Sequence, residues 1–519
     1  MYKKTRESDQ MVFEFYLPFG GKLDAGNRWI LLAETLPWSY IEKRYEETLS
    51  GSDKGRPALS ARMAFGALYI KEKMGFSDEE LVDQIQENPY LQYFIGLKKY
   101  SYTAPFDSSE MVHFRKRFAK DILADINEEI VRCATAAEEK EDDPPESPPS
   151  AEDTQGKAPE EDGNSGKLII DATCTPADIP YPTDLKILNE AREKTEEIID
   201  VLHEPDKGNK DKPRTYRNKA AKAYLSIAKQ RKAPQRRIRK HIGKQLRYLK
   251  RNLGHIEKYA GEGRLKLLSG RLYKLLLVSR EVYRQQQHMY DHKVNRIPDR
   301  IVNLYQPHVR PIVRGKAGTP VEFGAKISVS VCNGYSTVDR LDWNNYNESE
   351  DLQMQVERFK ERTGHYPASV HADKIYRSRD NRNYCKKRGI RLSGPPLGRP
   401  LKETEENREE LKALKAQQRQ DERDRQAVEG KFGQGKRRFS LSRIMARLKE
   451  TSESVILMSF IVMNLEKVLK GLLFLSYFTE ESLARTVCRA LRWIRSGEFS
   501  CPELFAGLHL CLERNCRAA

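Results

Sequence analysis

A β-hairpin pattern stands in the middle of the chain, where residues 320–341 read PVEFGAKISVSVCNGYSTVDRL. β-Branched and aromatic residues recur through 321–331, which is typical of a strand. Asn333-Gly334 follows, and these residue types adopt the positive φ angles that a two-residue hairpin turn requires. Residues 335–341 are again rich in strand formers. The pattern therefore predicts two antiparallel strands joined at Asn333-Gly334.

Two further predicted strands, on either side of the hairpin, each end in an aspartate. They read KLIID at residues 167–171 and ASVHAD at residues 368–373, and short apolar runs of this kind are typical of buried strands. Helical patterns follow at 354–362, 382–387 and 403–432, with a short strand at 389–393. This order of elements predicts an α/β fold built around a mixed sheet.

The candidate catalytic and metal-binding residues are Asp171, Asp373 and Glu429, from two strand ends and the last polar helix. Three converging carboxylates can hold two Mg²⁺ or Mn²⁺ ions, which prefer hard oxygen ligands. Two such ions about 4 Å apart would activate an attacking water or hydroxyl and stabilise the leaving oxygen of a phosphodiester. An acid at a strand end is more often a loop cap or an ion-pair partner, so the pattern alone leaves both interpretations open.

Two basic residues flank Glu429. Arg425 precedes it by one helical turn and shares its face. Lys436 follows it by seven residues, beyond Gly430, Gly433 and Gly435. We expect the helix to fray at these glycines, which would place Lys436 in a basic turn beside a DNA backbone.

Residues 1–135 are predicted to form a helical N-terminal domain. Helical spacing runs from Ala58 to Met74, and Ser77-Asp-Glu-Glu80 is a capping box that begins the next helix. A third helix, from about Ser108 to Ile122, carries the candidate DNA contacts Arg115, Lys116 and Arg117. Three short helices with a basic third one resemble a helix-turn-helix module. Plain helical packing is the alternative.

Charge divides the rest of the chain. An acidic, proline-rich stretch predicts a disordered linker at 136–166. A catalytic domain at 167–465 then contains a basic helical insertion at about 184–300, and a helical tail occupies 466–519. Between Lys207 and Arg251 stand 18 Lys and Arg residues and one acid. We interpret this segment as a nucleic-acid contact, with a solvated helix face as the alternative. Its candidate DNA contacts are Arg236, Arg237, Arg239 and Lys240. Beside the hairpin, Arg314 and Lys316 are further candidates.

The overall composition supports a polyanionic partner. The 519 residues contain 92 Lys and Arg against 75 Asp and Glu, a formal net charge of +17, and such an excess most often serves nucleic acid. No apolar run is long enough to span a membrane, and no phosphate-binding loop for ATP occurs. A zinc site at Cys501, His509, Cys511 and Cys516 is weakly indicated, since the spacing gives no paired finger pattern. We expect a soluble intracellular protein associated with nucleic acid.

Three pieces of the sequence resemble the DDE transposases of bacterial insertion sequences, in the group that contains insertion sequences four and five. The pieces are IIDAT at 169–173, HADKIY at 371–376 and RQAVEGKFGQGK at 425–436. The last matches the group's signature of arginine, three residues, glutamate, six residues and lysine. The tyrosine that begins this signature is replaced by Glu422. Residues 56–97 also resemble the N-terminal domain of these transposases.

The resemblance implies an RNase H-like catalytic domain and a transposase that uses two divalent metal ions. It implies cleavage of DNA at the transposon ends and joining of the freed 3′-OH to target DNA. Asp171 would bridge both ions, with Asp373 and Glu429 each completing one site. Family analogy also suggests a homodimer in the DNA complex. The alternatives are an RNase H-like nuclease that cuts without joining and a DNA-binding protein with a silent catalytic centre.

Overall fold

A mixed β-sheet is the centre of the structure, a computed structural model that describes residues 15–17, 20–49, 57–142, 163–313, 321–395 and 407–495, with residues 398 and 404. In this part of the chain the sheet has six strands in the order β2-β3-β1-β5-β6, and β4 also pairs with β3. The fold is mixed α/β, as predicted. The strands are β1 (Lys167–Pro176), β2 (Arg310–Val313), β3 (Val321–Cys332), β4 (Tyr335–Asp342), β5 (Ser369–His371) and β6 (Arg391–Leu392).

The predicted hairpin is confirmed. Strands β3 and β4 are antiparallel, and the turn residues Asn333 and Gly334 have φ angles of 48° and 77°. Strand β1 pairs antiparallel with β3 and parallel with β5, which is parallel to β6. Strand β2 was not predicted, because its four residues are too short for a periodic signal and include Pro311. It is held by antiparallel pairing with the first residues of β3.

The N-terminal helices match most of the predicted pattern. Gly75 ends one predicted helix in the left-handed conformation, with φ 75°, and the Ser77 hydroxyl accepts from the Glu80 N–H at 3.1 Å. The third predicted helix is two helices, which are interrupted between Arg117 and Lys120. The helices are α1 (Arg28–Thr35), α2 (Trp38–Glu46), α3 (Ala61–Met74), α4 (Asp78–Glu87), α5 (Pro89–Phe94), α6 (Glu110–Arg117) and α7 (Lys120–Asp142).

Helix α7 joins the N-terminal helices to the sheet. Its Asn127 donates to the Ser336 carbonyl of β4 at 3.2 Å, and the Tyr335 hydroxyl donates to Glu138 at 2.7 Å. These contacts cover the outer edge of β4, an edge that would otherwise expose unpaired backbone groups. The helix also continues to Asp142, seven residues into the segment predicted as a disordered linker. Residues 143–162 of that segment lie outside the described residues.

The predicted helical insertion lies between β1 and β2. Its helices are α8 (Asp184–His203), α9 (Arg217–Ala228), α10 (Gln235–Gly261) and α11 (Gly270–His292). Helices α8, α10 and α11 share an apolar core in which Leu188, Leu249 and Val282 are buried. The insertion therefore has a core of its own, so it presents its charges from a packed scaffold.

The remaining helices cover both faces of the sheet. They are α12 (Asp351–Thr363), α13 (Arg379–Lys387), α14 (Arg408–Arg438) and α15 (Lys449–Arg495). Leu168 and Ile170 of β1 share an apolar cluster with Val356 of α12. Because strand side chains alternate between faces, Lys167 points to the other face. There it forms an ion pair of 2.8 Å with Asp424 of α14.

The chain divides into two compact units, residues 1–464 and 465–519. In the first, α15 is anchored by Asn464, whose side chain donates to Asn127 and to the Ser336 carbonyl, both at 2.8 Å. In the second, α15 continues to Arg495. Among the described residues, no helix combines the length and apolar character needed to cross a membrane.

Candidate active site

Sheet register brings two of the three candidate acids together. In the parallel pair, Ile169 of β1 lies opposite His371 of β5. Asp171 and Asp373 are each two residues further along these neighbouring chains, whose strands are about 4.8 Å apart. The two aspartates are 202 residues apart in the sequence. Parallel pairing therefore brings both aspartates to the same end of the strand pair, with Asp373 just beyond the last residue of β5 and Asp171 within β1, which continues to Pro176. Asp373 is close enough to raise the pKa of Asp171.

Asp171 is in a partly desolvated, acidic environment. It is half-buried and accepts a hydrogen bond of 2.8 Å from the Ala172 N–H. The pKa of Asp171 is raised to about 6, mainly by burial and also by the carboxylates of Glu348 and Asp373, whereas the Ala172 N–H and Arg425 oppose the rise. The excess of carboxylates over cations is what a bound cation would neutralise.

Asp373 lies at the surface and has a structural role as well. It begins a 3-10 turn at Lys374–Tyr376, and its side chain accepts from the Lys374 N–H at 2.7 Å. This hydrogen bond holds one carboxylate oxygen of Asp373 in place and leaves the other oxygen able to bind a cation. The cap interpretation that the sequence left open for a strand-end acid is thus compatible with ligand binding.

Glu429 lies on α14, which crosses the sheet over β1, β3 and β5. Val428 and Phe432 are buried and face the sheet. At about 100° per residue, Arg425, Glu429 and Lys436 fall within an arc of about 40° along one rim of that buried face. Glu429 forms an ion pair of 3.0 Å with Arg425, and its side chain is 51% exposed. Arg425 thus pairs with Glu429, and its positive charge also lowers the pKa of Asp171.

Ion pairs fix α14 against the sheet edge. Asp421 is 4% exposed and accepts two hydrogen bonds from Arg391 of β6, of 2.7 and 2.9 Å. His371 of β5 is 3.7 Å from the same carboxylate. With the Lys167–Asp424 pair, these contacts tie the helix to three strands. They fix the position of α14 along the sheet, and with it the positions of Arg425 and Glu429 relative to the aspartates.

The expected fraying of this helix is wrong. Helix α14 continues through Gly430, Gly433 and Gly435 to Arg438. Packing overrides the low helix propensity of glycine, because a Cβ on Gly435 would lie 2.5 Å from the Leu441 side chain. Lys436 is therefore a half-buried helical residue on the same side of α14 as Glu429, and it is not part of a basic turn.

The described residues contain no group of three or more His, Cys, Asp or Glu side chains arranged to hold a metal ion. Asp171 and Asp373 are brought together, and Glu429 is turned to Arg425. Two adjacent carboxylates, one of them partly desolvated, are a donor set that fits a hard divalent cation. The third carboxylate would have to leave Arg425 to join them.

Sequence reasoning missed Glu348, which raises the pKa of Asp171. It lies in a 3-10 turn, Glu348–Glu350, just before α12. The sequence there, NYNESED, gives no periodic or motif signal, so only tertiary structure could identify it. Tyr376, the last residue of the HADKIY piece, is completely buried, and its hydroxyl has no hydrogen-bond partner among the described residues.

The structure removes Arg115 from the candidate DNA contacts. It is 7% exposed and donates to both carboxylate oxygens of Asp78, one at 3.1 Å. A guanidinium held this way stabilises the helix packing and is not available to a phosphate. Arg117 donates to the Tyr45 hydroxyl at 2.6 Å, and Lys116 is exposed.

The basic insertion presents part of its charge outward. Arg236, Arg237 and Lys240 are exposed at the start of α10. Arg239 is half-buried, and its guanidinium lies over the Tyr290 ring, 4.4 Å from the centroid. Lys326 of β3 is buried in an ion pair with Glu348 and is therefore not available to a phosphate. Arg314, Lys316 and the cysteines of the predicted zinc alternative lie outside the described residues.

Two parts of the chain match known protein families. Residues 370–466, which contain Asp373 and Glu429, match the transposase DDE domain family. Residues 18–117 match the family described as a transposase domain, DUF772.

A curated relative and the solved structures complete the comparison. An uncharacterized protein, ORF8 in the nfe locus of Rhizobium meliloti, is 31% identical over 160 residues. These residues are 30% of this chain, which spans 66% of that protein's length. No solved structure matches the chain. With its paired aspartates, its closing helix and these two matched domains, the chain resembles the DDE transposases of insertion sequences.

Proposed function

We propose that the chain is a transposase that cuts DNA at transposon ends and transfers the freed 3′-OH into target DNA. The observation that carries this proposal is the register that sets Asp171 beside Asp373 under a helix bearing Glu429. Phosphodiester transfer needs groups that neutralise charge on both the entering and the leaving oxygen. The matched transposase domains favour this chemistry over other uses of an acidic pocket.

The sheet supports an RNase H-like catalytic domain. Here β1, β3 and β4 are antiparallel neighbours, and β5 and β6 run parallel to β1. We assign this domain to residues 167–465, with the helical insertion at about 184–300 and a helical tail at 466–519.

Asp171 and Asp373 would hold Mg²⁺ or Mn²⁺, and Glu429 would complete the set after releasing Arg425. When bound, two such ions would polarise the scissile phosphate and lower the pKa of an attacking water or hydroxyl. Arg425 would then be free to contact a DNA phosphate near the reacting bond. Lys436, on the same rim of α14, would lie further along the same DNA strand.

DNA binding is assigned to two surfaces. The first is the exposed start of α10, with Arg236, Arg237 and Lys240. The second is the N-terminal domain, residues 1–135, which we propose to be a helix-turn-helix-like module with Lys116 exposed on its basic helix. Pairing of two transposon ends would need a homodimer in the DNA complex, acting in the bacterial cytoplasm.

Purified protein, Mg²⁺ and DNA carrying matched transposon ends test the proposal. We expect cleaved 3′-OH ends and joined strands, both lost in Asp171→Asn and Asp373→Asn. Asp211→Asn, an exposed aspartate in the insertion, is the matched control and should keep full activity. Cleavage without joining would favour the nuclease. DNA binding without either product would favour the silent DNA-binding protein and refute the proposal.

A further inference from the structure

One face of α10, here called the basic face, carries positive charge along most of the helix, beyond the candidate DNA contacts at its start. At about 100° per residue, an arc of about 120° contains those contacts together with Lys244, Arg247, Arg251 and Lys258. From Arg236 to Lys258 the basic face is about 33 Å long, at 1.5 Å per residue. One turn of B-DNA is about 34 Å long, so the basic face matches the length of one turn.

The basic face is turned away from the core of the insertion. Leu249 and Leu253, on the opposite side of α10, are buried in that core. The sequence of α10 contains one acid, Glu257, which lies outside the arc and pairs with Arg280 of α11 at 3.0 Å. Within the described part of the chain, the four cations from Lys244 to Lys258 form no ion pair. Their charge is therefore available to a polyanion.

Arg251 is held in place by two aromatic rings. Its guanidinium carbon lies 4.6 Å from the centroid of the Tyr216 ring and 5.7 Å from the centroid of the Tyr248 ring. The side chain is exposed and forms no hydrogen bond with the residues that the structure describes. Contact with the rings uses the positive charge of the guanidinium and none of its five N–H donors. Arg251 thus presents free donors from a restrained position, which suits the binding of phosphate oxygens.

The backbone of Tyr216 gives a second, independent observation. Its φ angle is 56°, in the left-handed region that a residue with a bulky side chain rarely adopts. Tyr216 stands immediately before α9 and is 41% exposed. The Lys219 ammonium lies 5.6 Å from the centroid of the same ring, so two cations meet at one tyrosine. A solvated face needs neither a strained backbone nor an exposed ring, whereas strained residues cluster at functional sites.

We propose that the basic face binds the phosphate backbone of duplex DNA along about one helical turn, and that Arg251 is a phosphate contact positioned by Tyr216 and Tyr248. The inference rests on the proposed DNA binding by the insertion, and it extends that contact from the start of α10 to Lys258. Phosphate contacts fix the position of a protein on DNA but carry no sequence information. The contribution of Arg251 should therefore be the same for any duplex.

The salt dependence of duplex binding tests the proposal, with the full-length protein and a fluorescently labelled duplex of arbitrary sequence. Loss of one phosphate contact lowers the slope of the logarithm of the binding constant against the logarithm of salt concentration by about 0.9. Arg251→Ala should show this loss, and it should fold normally because Arg251 is exposed. Lys250→Ala is the matched control and should keep the wild-type slope, because this exposed neighbour lines the groove between α10 and α11 instead.

Substitution of Tyr216 tests the positioning separately from the charge. Tyr216→Leu keeps every cation, so the salt slope should stay unchanged. The affinity at fixed salt should fall by about two- to fivefold, as expected for the loss of an exposed contact between a cation and a ring. Tyr216→Phe keeps the ring and should bind as wild type does, and circular dichroism checks that the helix content is the same in both variants.

The outcomes separate this inference from the proposed function. If Arg251→Ala keeps the wild-type slope while alanine substitution of Arg236, Arg237 and Lys240 lowers it, the role of Arg251 is refuted and the proposed DNA binding stands. Equal loss of slope in Lys250→Ala and Arg251→Ala would mean that net charge alone matters, and would also overturn the inference. Equal weakening by Tyr216→Phe and Tyr216→Leu would refute positioning by the ring. If the wild-type protein does not bind the duplex at any salt concentration, the inference and the proposed DNA binding both fail.

Discussion

Replacing Asp171 with asparagine should stabilise the cation-free protein. The raised pKa of Asp171, about 6 against an ordinary 3.8, means that the folded protein disfavours its ionised form. At about 1.4 kcal/mol per pKa unit, ionised Asp171 costs the fold up to about 3 kcal/mol at neutral pH. Asparagine keeps an acceptor for the Ala172 N–H and can donate to the neighbouring carboxylates. We expect Asp171→Asn to gain about 1–3 kcal/mol.

The gain in stability of Asp171→Asn should depend on pH. The penalty is complete above pH 6, where Asp171 is ionised in the folded protein. It shrinks as the pH falls from 6 towards 4, because the folded protein binds the proton before the unfolded chain does. The gain of Asp171→Asn should therefore be large at pH 7.5 and small at pH 4.5.

Hydrogen exchange of peptides from β1 measures this locally, which matters because a chain with several domains does not unfold in one step. Both proteins are compared without divalent cations, after correction for the intrinsic pH dependence of exchange. Asp211→Asn is the matched control and should change stability by less than about 0.5 kcal/mol. A loss of stability in Asp171→Asn at pH 7.5, or a gain that does not depend on pH, would refute the reasoning.

Three more predictions concern the helices. Gly430→Ala should stabilise α14 by about 0.5–1 kcal/mol, because the added Cβ meets no atom within 4 Å beyond its own stretch of helix. Gly435→Ala should destabilise it, because the added Cβ would lie 2.5 Å from the Leu441 side chain, and hydrogen exchange of peptides from α14 compares the two variants. Alanine substitution of Arg236, Arg237 and Lys240 together should reduce the slope of the logarithm of the DNA-binding constant against the logarithm of salt concentration by about 2–3, because three phosphate contacts are lost, while the helicity stays unchanged. An unchanged slope would favour the interpretation of α10 as a solvated helix face. Asn464→Ala should lower the stability by about 1–3 kcal/mol, because it removes the partner of the buried Asn127 Oδ1 and of the Ser336 N–H and hydroxyl. Asn209→Ala, at an exposed position, is the control with the same change of side chain and should have little effect.

Local sequence was sufficient for the elements themselves. The Asn333-Gly334 turn, the Ser77 cap and the strand that begins at Lys167 depend on a few neighbouring residues, and each is found in the structure. The predicted end of that strand at Asp171 is wrong, because pairing with β3 continues β1 to Pro176. The extent of α14 was not predictable in this way. Its glycines lower helix propensity locally, while the close packing of Gly435 against Leu441 depends on chain folded back from beyond the helix.

The sequence predicted which residues are basic but not which of them are exposed. The sequence shows which residues are basic, but Arg115 became the partner of Asp78 and Lys326 the partner of Glu348, since burial forces a cation to find a counter-ion. Arg236 and Lys240, on the outside of a packed helix, remained exposed.

The sequence by itself determined the types of strands and helices, the basic insertion and the three acids that resemble a transposase signature, because these depend on residue type and short spacing. Only the tertiary structure decided that Asp171 lies beside Asp373, that Glu429 is paired with Arg425, and that Glu348 borders the site. Sheet register and buried ion pairs join residues far apart in the chain. Their geometry is set by the packing of the whole core, which no local pattern encodes.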